Sequence, residues 1–126
     1  MIHDRHFTVE EANALLEGLD TVLEELRDAR DRLTDAERHE VLAGAAPQNG
    51  GGESGREVGE AFLDVRRMLL GLEQAGVVVR DIDRGLVDFP SIRDGREVYL
   101  CWQRGEEEVA FWHDLESGFR GREQLE

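Results

Sequence analysis

The chain contains no lysine, a single cysteine and only two prolines, and it has no long run of apolar residues. The lone cysteine, Cys101, excludes an internal disulfide, and the apolar runs are far shorter than the roughly 20 residues that cross a bilayer. The amino terminus lacks the basic start and apolar stretch of a secretory signal. We therefore expect a cytoplasmic protein that has no membrane span.

The 126 residues include 29 acidic and 15 basic side chains, which gives a net charge of −14. This charge opposes contact with the phosphate backbone of nucleic acids, which proteins bind largely through lysine and arginine. We therefore expect no nucleic-acid partner. The length and the 40% of hydrophobic residues are typical of one globular domain, spanning residues 1–126.

Two stripes of apolar residues at heptad spacing predict an antiparallel helical hairpin, similar to a coiled coil, with a longer first helix. Thr8 and Glu11 form a capping-box pattern, and the first helix is expected over residues 8–42. Residues 43–55 are rich in glycine, which is typical of a flexible loop. The second helix is expected over residues 56–75 and ends at Gly76.

The unequal lengths of the two helices leave part of the first helix without a helical partner. These apolar positions are Ala12, Leu15, Leu16 and Leu19. They need cover from the rest of the chain or from another molecule, since monomers seldom expose large apolar patches. We therefore expect a homodimer.

After Gly76 the apolar residues alternate with period two, which predicts a four-stranded antiparallel β-meander over residues 77–113 and a tail over residues 114–126. The strands are expected over residues 77–82, 86–92, 96–103 and 108–113, with turns near Gly85, Gly95 and Gly105. One sheet face would be apolar: Val77, Val79, Val87, Phe89, Val98, Leu100, Trp102, Val109 and Phe111. The predicted fold class is α+β.

The same strand pairing gives the second sheet face a mixed composition. It sets Arg80 opposite Asp88, Ile82 opposite Leu86, Asp88 beside Cys101, Cys101 opposite Ala110 and Tyr99 opposite Trp112. A half-apolar face is unusual for a surface that only meets water. We interpret Arg80, Asp88, Tyr99, Cys101 and Trp112 as a face for a protein partner or small ligand. A non-enzymatic interaction or ligand-binding module without a cofactor is the leading hypothesis.

Several stretches of the chain together resemble a known family. They are residues 7–16 (FTVEEANALL), 81–90 (DIDRGLVDFP), 95–102 (GREVYLCW), 105–106 (GE), 112–113 (WH) and 118–122 (GFRGR). This pattern is similar to the domain-of-unknown-function family 2203 of small uncharacterised prokaryotic proteins. The resemblance spans nearly the whole chain and implies no activity, cofactor or partner.

A divalent-metal-dependent enzyme, most plausibly a hydrolase, is the alternative from another class. Its metal would be bound by His113, Asp114 and Glu116, because carboxylates with an imidazole suit metals from Mg²⁺ to Zn²⁺. Asp81, Asp83 and Asp88 are further carboxylates in the region. Asp83 is better explained as a turn residue, however, and Asp88 as the partner of Arg80.

Two other candidate sites have simpler explanations. A nucleophilic pair of Cys101 and His113 is disfavoured, because the predicted strand pairing sets the two residues on opposite faces. Arg96, Arg120 and Arg122 are candidates for binding an anion or nucleotide. The simpler explanation is that these arginines tie the tail to carboxylates of this acidic chain.

Overall fold

The structure, a computed structural model, describes residues 1–44 and 53–126 and consists of a helical hairpin followed by an antiparallel sheet. Helix α1 spans Val9–Gly44 and helix α2 spans Glu53–Gln74. The predicted hairpin with a longer first helix is confirmed. Of the predicted loop, residues 43–44 and 53–55 are helical, and residues 45–52 lie outside the described residues. Neither described helix is both long and apolar enough to cross a membrane.

Both ends of the hairpin that face the sheet are defined by local hydrogen bonds. The Glu11 amide donates to Thr8 Oγ1 at 3.1 Å, and the Thr8 amide donates to Glu11 Oε1 at 2.9 Å, which is the predicted capping box. At the end of α2, Gly76 has a φ of 87°, and the Val77 amide donates to the Leu72 carbonyl at 3.0 Å. This left-handed glycine turns the chain directly into the sheet.

The sheet has five antiparallel strands in sequence order, not the four predicted. They are β1 Val78–Asp81, β2 Leu86–Arg93, β3 Arg96–Gln103, β4 Phe111–Asp114 and β5 Glu123–Gln124. The fifth strand lies in the predicted tail and pairs with the outer edge of β4 after a short 3₁₀ turn, Phe119–Gly121. The helical hairpin followed by a meander, and hence the α+β class, is confirmed.

The sheet covers the part of α1 that extends past α2. Ala12, Leu16 and Leu19 are buried in one core cluster with sheet residues that include Phe89 and Leu100. The chain itself therefore covers most of the apolar stretch that suggested a dimer. Leu15 is the member of this stretch that remains exposed.

The pairing of β2 with β3 agrees with the prediction. Asp88 is the partner of Cys101, and a two-residue turn at Asp94 and Gly95 joins the strands. Both turn residues have positive φ, 52° and 75°, which is the backbone conformation of a type I′ hairpin turn. A two-residue turn of this kind determines which residues of β2 and β3 are partners. This register could therefore be predicted from the sequence.

The predicted pairing of β3 with β4 is wrong by one residue. Tyr99 is the partner of His113 instead of Trp112, and Cys101 is the partner of Phe111 instead of Ala110. The connection is longer than expected because Val109 leaves the ladder, where its amide donates to Asn13 Oδ1 on α1 at 2.7 Å and its side chain enters the core. Because of this long-range contact, β4 begins at Phe111 and not at residue 108 as predicted.

A shift of one residue turns every side chain of a strand to the other sheet face. Trp112 therefore packs against the core, where Phe111 was expected, and Phe111 lies beside Arg122 on the opposite face. The same shift brings His113 onto the face of Asp88 and Cys101, contrary to the prediction that His113 and Cys101 are separated.

The pairing of β1 with β2 also differs from the prediction. Val78 is the partner of Asp88, and Asp81 instead of Ile82 is the partner of Leu86, with a bulge between Val79 and Asp81. Arg80 is the extra residue of this bulge. Bulges redirect side chains, and the Arg80 side chain still reaches Asp88 as predicted.

The first seven residues form an amino-terminal arm that contacts β2 and β3. The Phe7 amide donates to the Pro90 carbonyl at 2.7 Å. Glu97 accepts from the Ile2 amide at 2.9 Å, the His3 amide at 3.1 Å and His6 Nε2 at 2.7 Å. The Glu97 side chain is only 5% exposed. Burial raises its pKa, but these hydrogen bonds outweigh burial and lower the pKa to about 2.

We expect the attachment of this arm to weaken in acid. The pKa of Glu97 falls from its ordinary value of 4.5 to about 2 on folding, so its stabilising contribution is present above pH 4.5 and is lost between pH 4.5 and about 2. Glu97→Gln should flatten the dependence of the unfolding free energy on pH across this window. Urea unfolding at several pH values measures it, with the exposed α1 residue Glu17, changed to Gln, as the control. Equal slopes in wild type and Glu97→Gln would contradict the assignment.

The homodimer stays a prediction, and its support now comes from α2. Phe62, Leu63 and Leu70 are exposed apolar side chains on this helix. We expect sedimentation velocity at micromolar concentration to report a dimer that the double variant Leu63→Glu, Leu70→Glu converts to a monomer. A wild-type chain that sediments as a compact monomer would exclude the dimer.

Candidate functional site

Three buried side chains from three adjacent strands meet on the sheet face that points away from the helices. They are Asp88 on β2, Cys101 on β3 and His113 on β4. One carboxylate oxygen, the thiol sulfur and one imidazole nitrogen all lie within 4.8 Å of one another. We call these residues the Asp–Cys–His cluster. Its two polar side chains, Asp88 and His113, are 3% and 2% exposed.

Both ring nitrogens of His113 face hydrogen-bond acceptors. Nε2 lies 2.9 Å from Asp88 Oδ1, and Nδ1 lies 2.7 Å from the Asp114 carbonyl. A ring that satisfies two acceptors donates from both nitrogens and is an imidazolium. Burial lowers the pKa of His113, but its hydrogen bonds, above all that to Asp88, outweigh burial and raise the pKa to about 10.

The second oxygen of Asp88 is paired with Arg80. Arg80 Nε donates to Asp88 Oδ2 at 2.8 Å, while its guanidinium lies 4.9 Å from the centre of the Tyr99 ring. Asp88 is thus a buried carboxylate between two cationic side chains, an arrangement that offsets the cost of removing it from water. Arg80 differs from its partner because 42% of its side chain is exposed.

The carboxyl-terminal segment covers the cysteine end of the cluster. Arg122 Nη2 donates to Glu106 Oε2 at 2.8 Å, and Arg122 Nη1 lies 3.9 Å from Cys101 Sγ. The guanidinium packs between the rings of Phe111 and Phe119, at 3.8 and 4.3 Å. Arg122 therefore ties the tail to a carboxylate, as the simpler explanation of this arginine held.

A cavity of about 290 Å³ opens beside the cluster. Its polar lining includes Arg80, Asp88, His113 and Glu116, and its apolar lining includes Leu86, Leu115 and Phe119. Two of the three cluster residues therefore reach a space that a small molecule can enter. The size is close to the lower limit of pockets that bind small molecules, about 300 Å³.

The structure brings together four of the five residues interpreted as a ligand or partner face. Arg80, Asp88, Tyr99 and Cys101 are neighbours, and Trp112 lies on the core side. Asp88, Tyr99 and Cys101 are all buried, and of these three Asp88 lines the cavity. This burial fits a small ligand better than a protein partner.

The other candidate residues are distributed differently. Of the predicted metal ligands, His113 belongs to the cluster, the exposed Asp114 side chain pairs with Arg96 at 3.3 Å, and the exposed Glu116 lines the cavity. Arg96, Arg120 and Arg122 do not share one site, because Arg96 and Arg122 bind different carboxylates and Arg120 is an exposed residue of the 3₁₀ turn.

All three residues of the cluster were candidates in the sequence, but the predicted register of β3 with β4 set them on different sheet faces. Asp88 and Cys101 were assigned to one face and His113 to the other, so neither a shared metal nor a Cys–His contact followed. The signal that could have revealed the correct pairing is the sorting of Trp112 and Phe111. Trp112 packs against the core. A register that assigns Trp112 to the core face of the sheet also assigns the next residue, His113, to the face of Cys101.

The fold and the site define an α+β protein with a buried Asp–Cys–His cluster beside a small cavity. The model of the family described as "Uncharacterized conserved protein (DUF2203)" matches residues 5–125. The chain belongs to this family, as the resemblance indicated. No curated protein and no solved structure matches the chain.

Removing the shared carboxylate should be costly. Asp88→Ala leaves His113 and Arg80 without their counter-charge, and the loss of one partner from a buried ion pair costs about 3–5 kcal/mol. Urea unfolding gives the difference in unfolding free energy. Asp114→Ala is the matched control on the same sheet, because its pair with Arg96 is exposed and should contribute about 1 kcal/mol or less. Equal losses in the two variants would contradict the role assigned to Asp88.

Proposed function

We propose that the protein binds a zinc-class transition-metal ion through Asp88, Cys101 and His113, and that it uses this metal as a hydrolytic centre. The single observation that carries the proposal is the convergence of a carboxylate oxygen, a thiol sulfur and an imidazole nitrogen within 4.8 Å of one another. All three side chains are buried, and they extend from three paired strands of one sheet. A rigid sheet is a suitable scaffold for metal ligands.

The chemistry of the donors favours zinc over harder cations. Thiolate and imidazole ligands suit zinc and related transition metals, whereas magnesium and calcium prefer sets made of oxygen atoms. Nδ1 of His113 is bonded to the Asp114 carbonyl, so the metal would bind at Nε2 and would replace the proton that this nitrogen shares with Asp88 Oδ1. Metal-binding histidines commonly have such a backbone partner, which holds the ring in position.

The number of protein ligands supports a reactive centre over a purely structural one. Structural zinc sites usually have four protein ligands, while catalytic sites have three and leave a position for water or substrate. The cavity borders Asp88 and His113, two of the three residues that would hold the metal. Zinc held by Asp88, Cys101 and His113 would supply the activation of water at neutral pH that hydrolysis requires.

The small-ligand-binding module remains the second candidate, and one observation favours it. Asp88 already has two partners, Arg80 and His113, so the cluster is satisfied as an ion-pair network without any metal. In that case the network only shapes the cavity for a ligand. The two candidates differ in whether the protein takes up zinc.

Calorimetric titration of the chelator-treated protein with zinc distinguishes the two candidates. We expect one zinc ion per chain, bound with high affinity, and no comparable binding of magnesium. Cys101→Ala and His113→Ala should each reduce zinc affinity by at least about 100-fold, since each removes one of three ligands. With cobalt as the metal, a thiolate-to-cobalt charge-transfer band should appear in the wild type and be absent from Cys101→Ala.

The control variant is His39→Ala, which removes an exposed histidine of α1 that pairs with Glu57. Its zinc affinity should equal that of the wild type. Circular dichroism of each variant checks that a loss of binding does not come from unfolding. Weak zinc binding that survives in Cys101→Ala and His113→Ala would exclude the metal centre and leave the ligand-binding module.

A further inference from the structure

Among the residues that the structure describes, Arg80 is the one cationic side chain that lines the cavity without being a ligand of the proposed metal. Its bond to Asp88 uses Nε, one of the five N–H donors of an arginine. The side chain is 42% exposed, although its partner Asp88 is buried. The guanidinium is therefore held in position by Asp88 and the Tyr99 ring, and it still has donors for a ligand.

The charges around the metal leave Arg80 without full compensation. A divalent ion would be balanced by the Asp88 carboxylate and a Cys101 thiolate. Asp88 would then be shared between the metal and Arg80, so that the positive charge of Arg80 would be only partly balanced. Arg122 adds nothing to this balance because it is paired with Glu106 at 2.8 Å. Glu116 also lines the cavity, and its exposed carboxylate, which water and salt screen in part, offsets some of this positive charge.

The shape of the cavity restricts the size of a ligand. A volume of about 290 Å³ holds only a small molecule. The apolar part of the lining consists of Leu86, Leu115 and Phe119. The site thus offers one anchor for a charged group and one surface for a short apolar group.

We infer that this cavity recognises a small anionic substrate, a carboxylate or a phosphate compound, whose charged group binds between Arg80 and the open position of the metal. A guanidinium donates two parallel hydrogen bonds to either group, and a metal ion accepts an oxygen of either as a ligand. The inference rests on the proposed function, because the metal supplies half of the binding site. It gives a role to Arg80, an arginine that lines the cavity beside the buried cluster of a chain with a net charge of −14.

Isothermal titration of the zinc-loaded protein with inorganic phosphate and, separately, with acetate tests the inference and distinguishes the two sources of charge. We expect at least one of the two anions to bind with one site per chain. Arg80→Gln should weaken that binding about tenfold or more, which corresponds to the loss of a charged hydrogen bond. Glu116→Gln should strengthen it, because a repelling carboxylate is removed. Arg84→Gln is the matched control, since Arg84 contacts Phe119 but does not line the cavity.

Each outcome supports or overturns the inference. If zinc binds but neither anion does, or if Arg80→Gln and wild type bind the anion equally, the anion site is wrong and the metal centre stands. If zinc does not bind, the metal centre is wrong and the anion site is rejected with it. Should Arg80→Gln fail to fold by circular dichroism, Arg80→Lys and Glu116→Gln decide. The first should bind more weakly and the second more tightly, and unchanged affinity in both overturns the inference.

Discussion

The buried carboxylate of Asp88 imposes the strictest requirement on the sheet. A charged group that is 3% exposed needs partners for both oxygens, because an unpaired charge is very costly away from water. One oxygen is satisfied by Arg80, which the bulge in β1 directs toward it, and the other by His113, which the register of β4 brings onto the same face. The bulge and the register are thus two backbone features that serve one carboxylate.

The two termini of the chain complete this site by covering it. The amino-terminal arm is attached to Glu97, and its His3 Nε2 lies 2.7 Å from the hydroxyl of Tyr99, whose ring packs at 5.4 Å from that of His113. At the other end of the cluster, Arg122 of the carboxyl-terminal segment lies against Cys101. Both termini therefore contribute to the burial of this sheet face, where the cavity borders Asp88 and His113.

The donor cluster and the arginine beside it favour compatible ligands. A cluster of oxygen, sulfur and nitrogen donors suits a transition metal, and the neighbouring arginine suits an anion that would also bind the metal. The acidic surface of the chain has a different role. A net charge of −14 opposes contact with the phosphate backbone of nucleic acids, and Arg80 at the cavity is a local exception to this charge.

The sequence by itself determined the features that depend on neighbouring residues. The heptad stripes and the capping box of Thr8 and Glu11 predict the hairpin, and the turn at Asp94 and Gly95 determines the register of β2 with β3. Only the tertiary structure decided the register of β3 with β4, because that register depends on a bond between Val109 and Asn13, which are 96 positions apart. Since side chains alternate between sheet faces, a shift of one residue is enough to decide whether His113 joins Asp88 and Cys101. The residues of the site could be named from the sequence, and the folded chain was needed to bring them together.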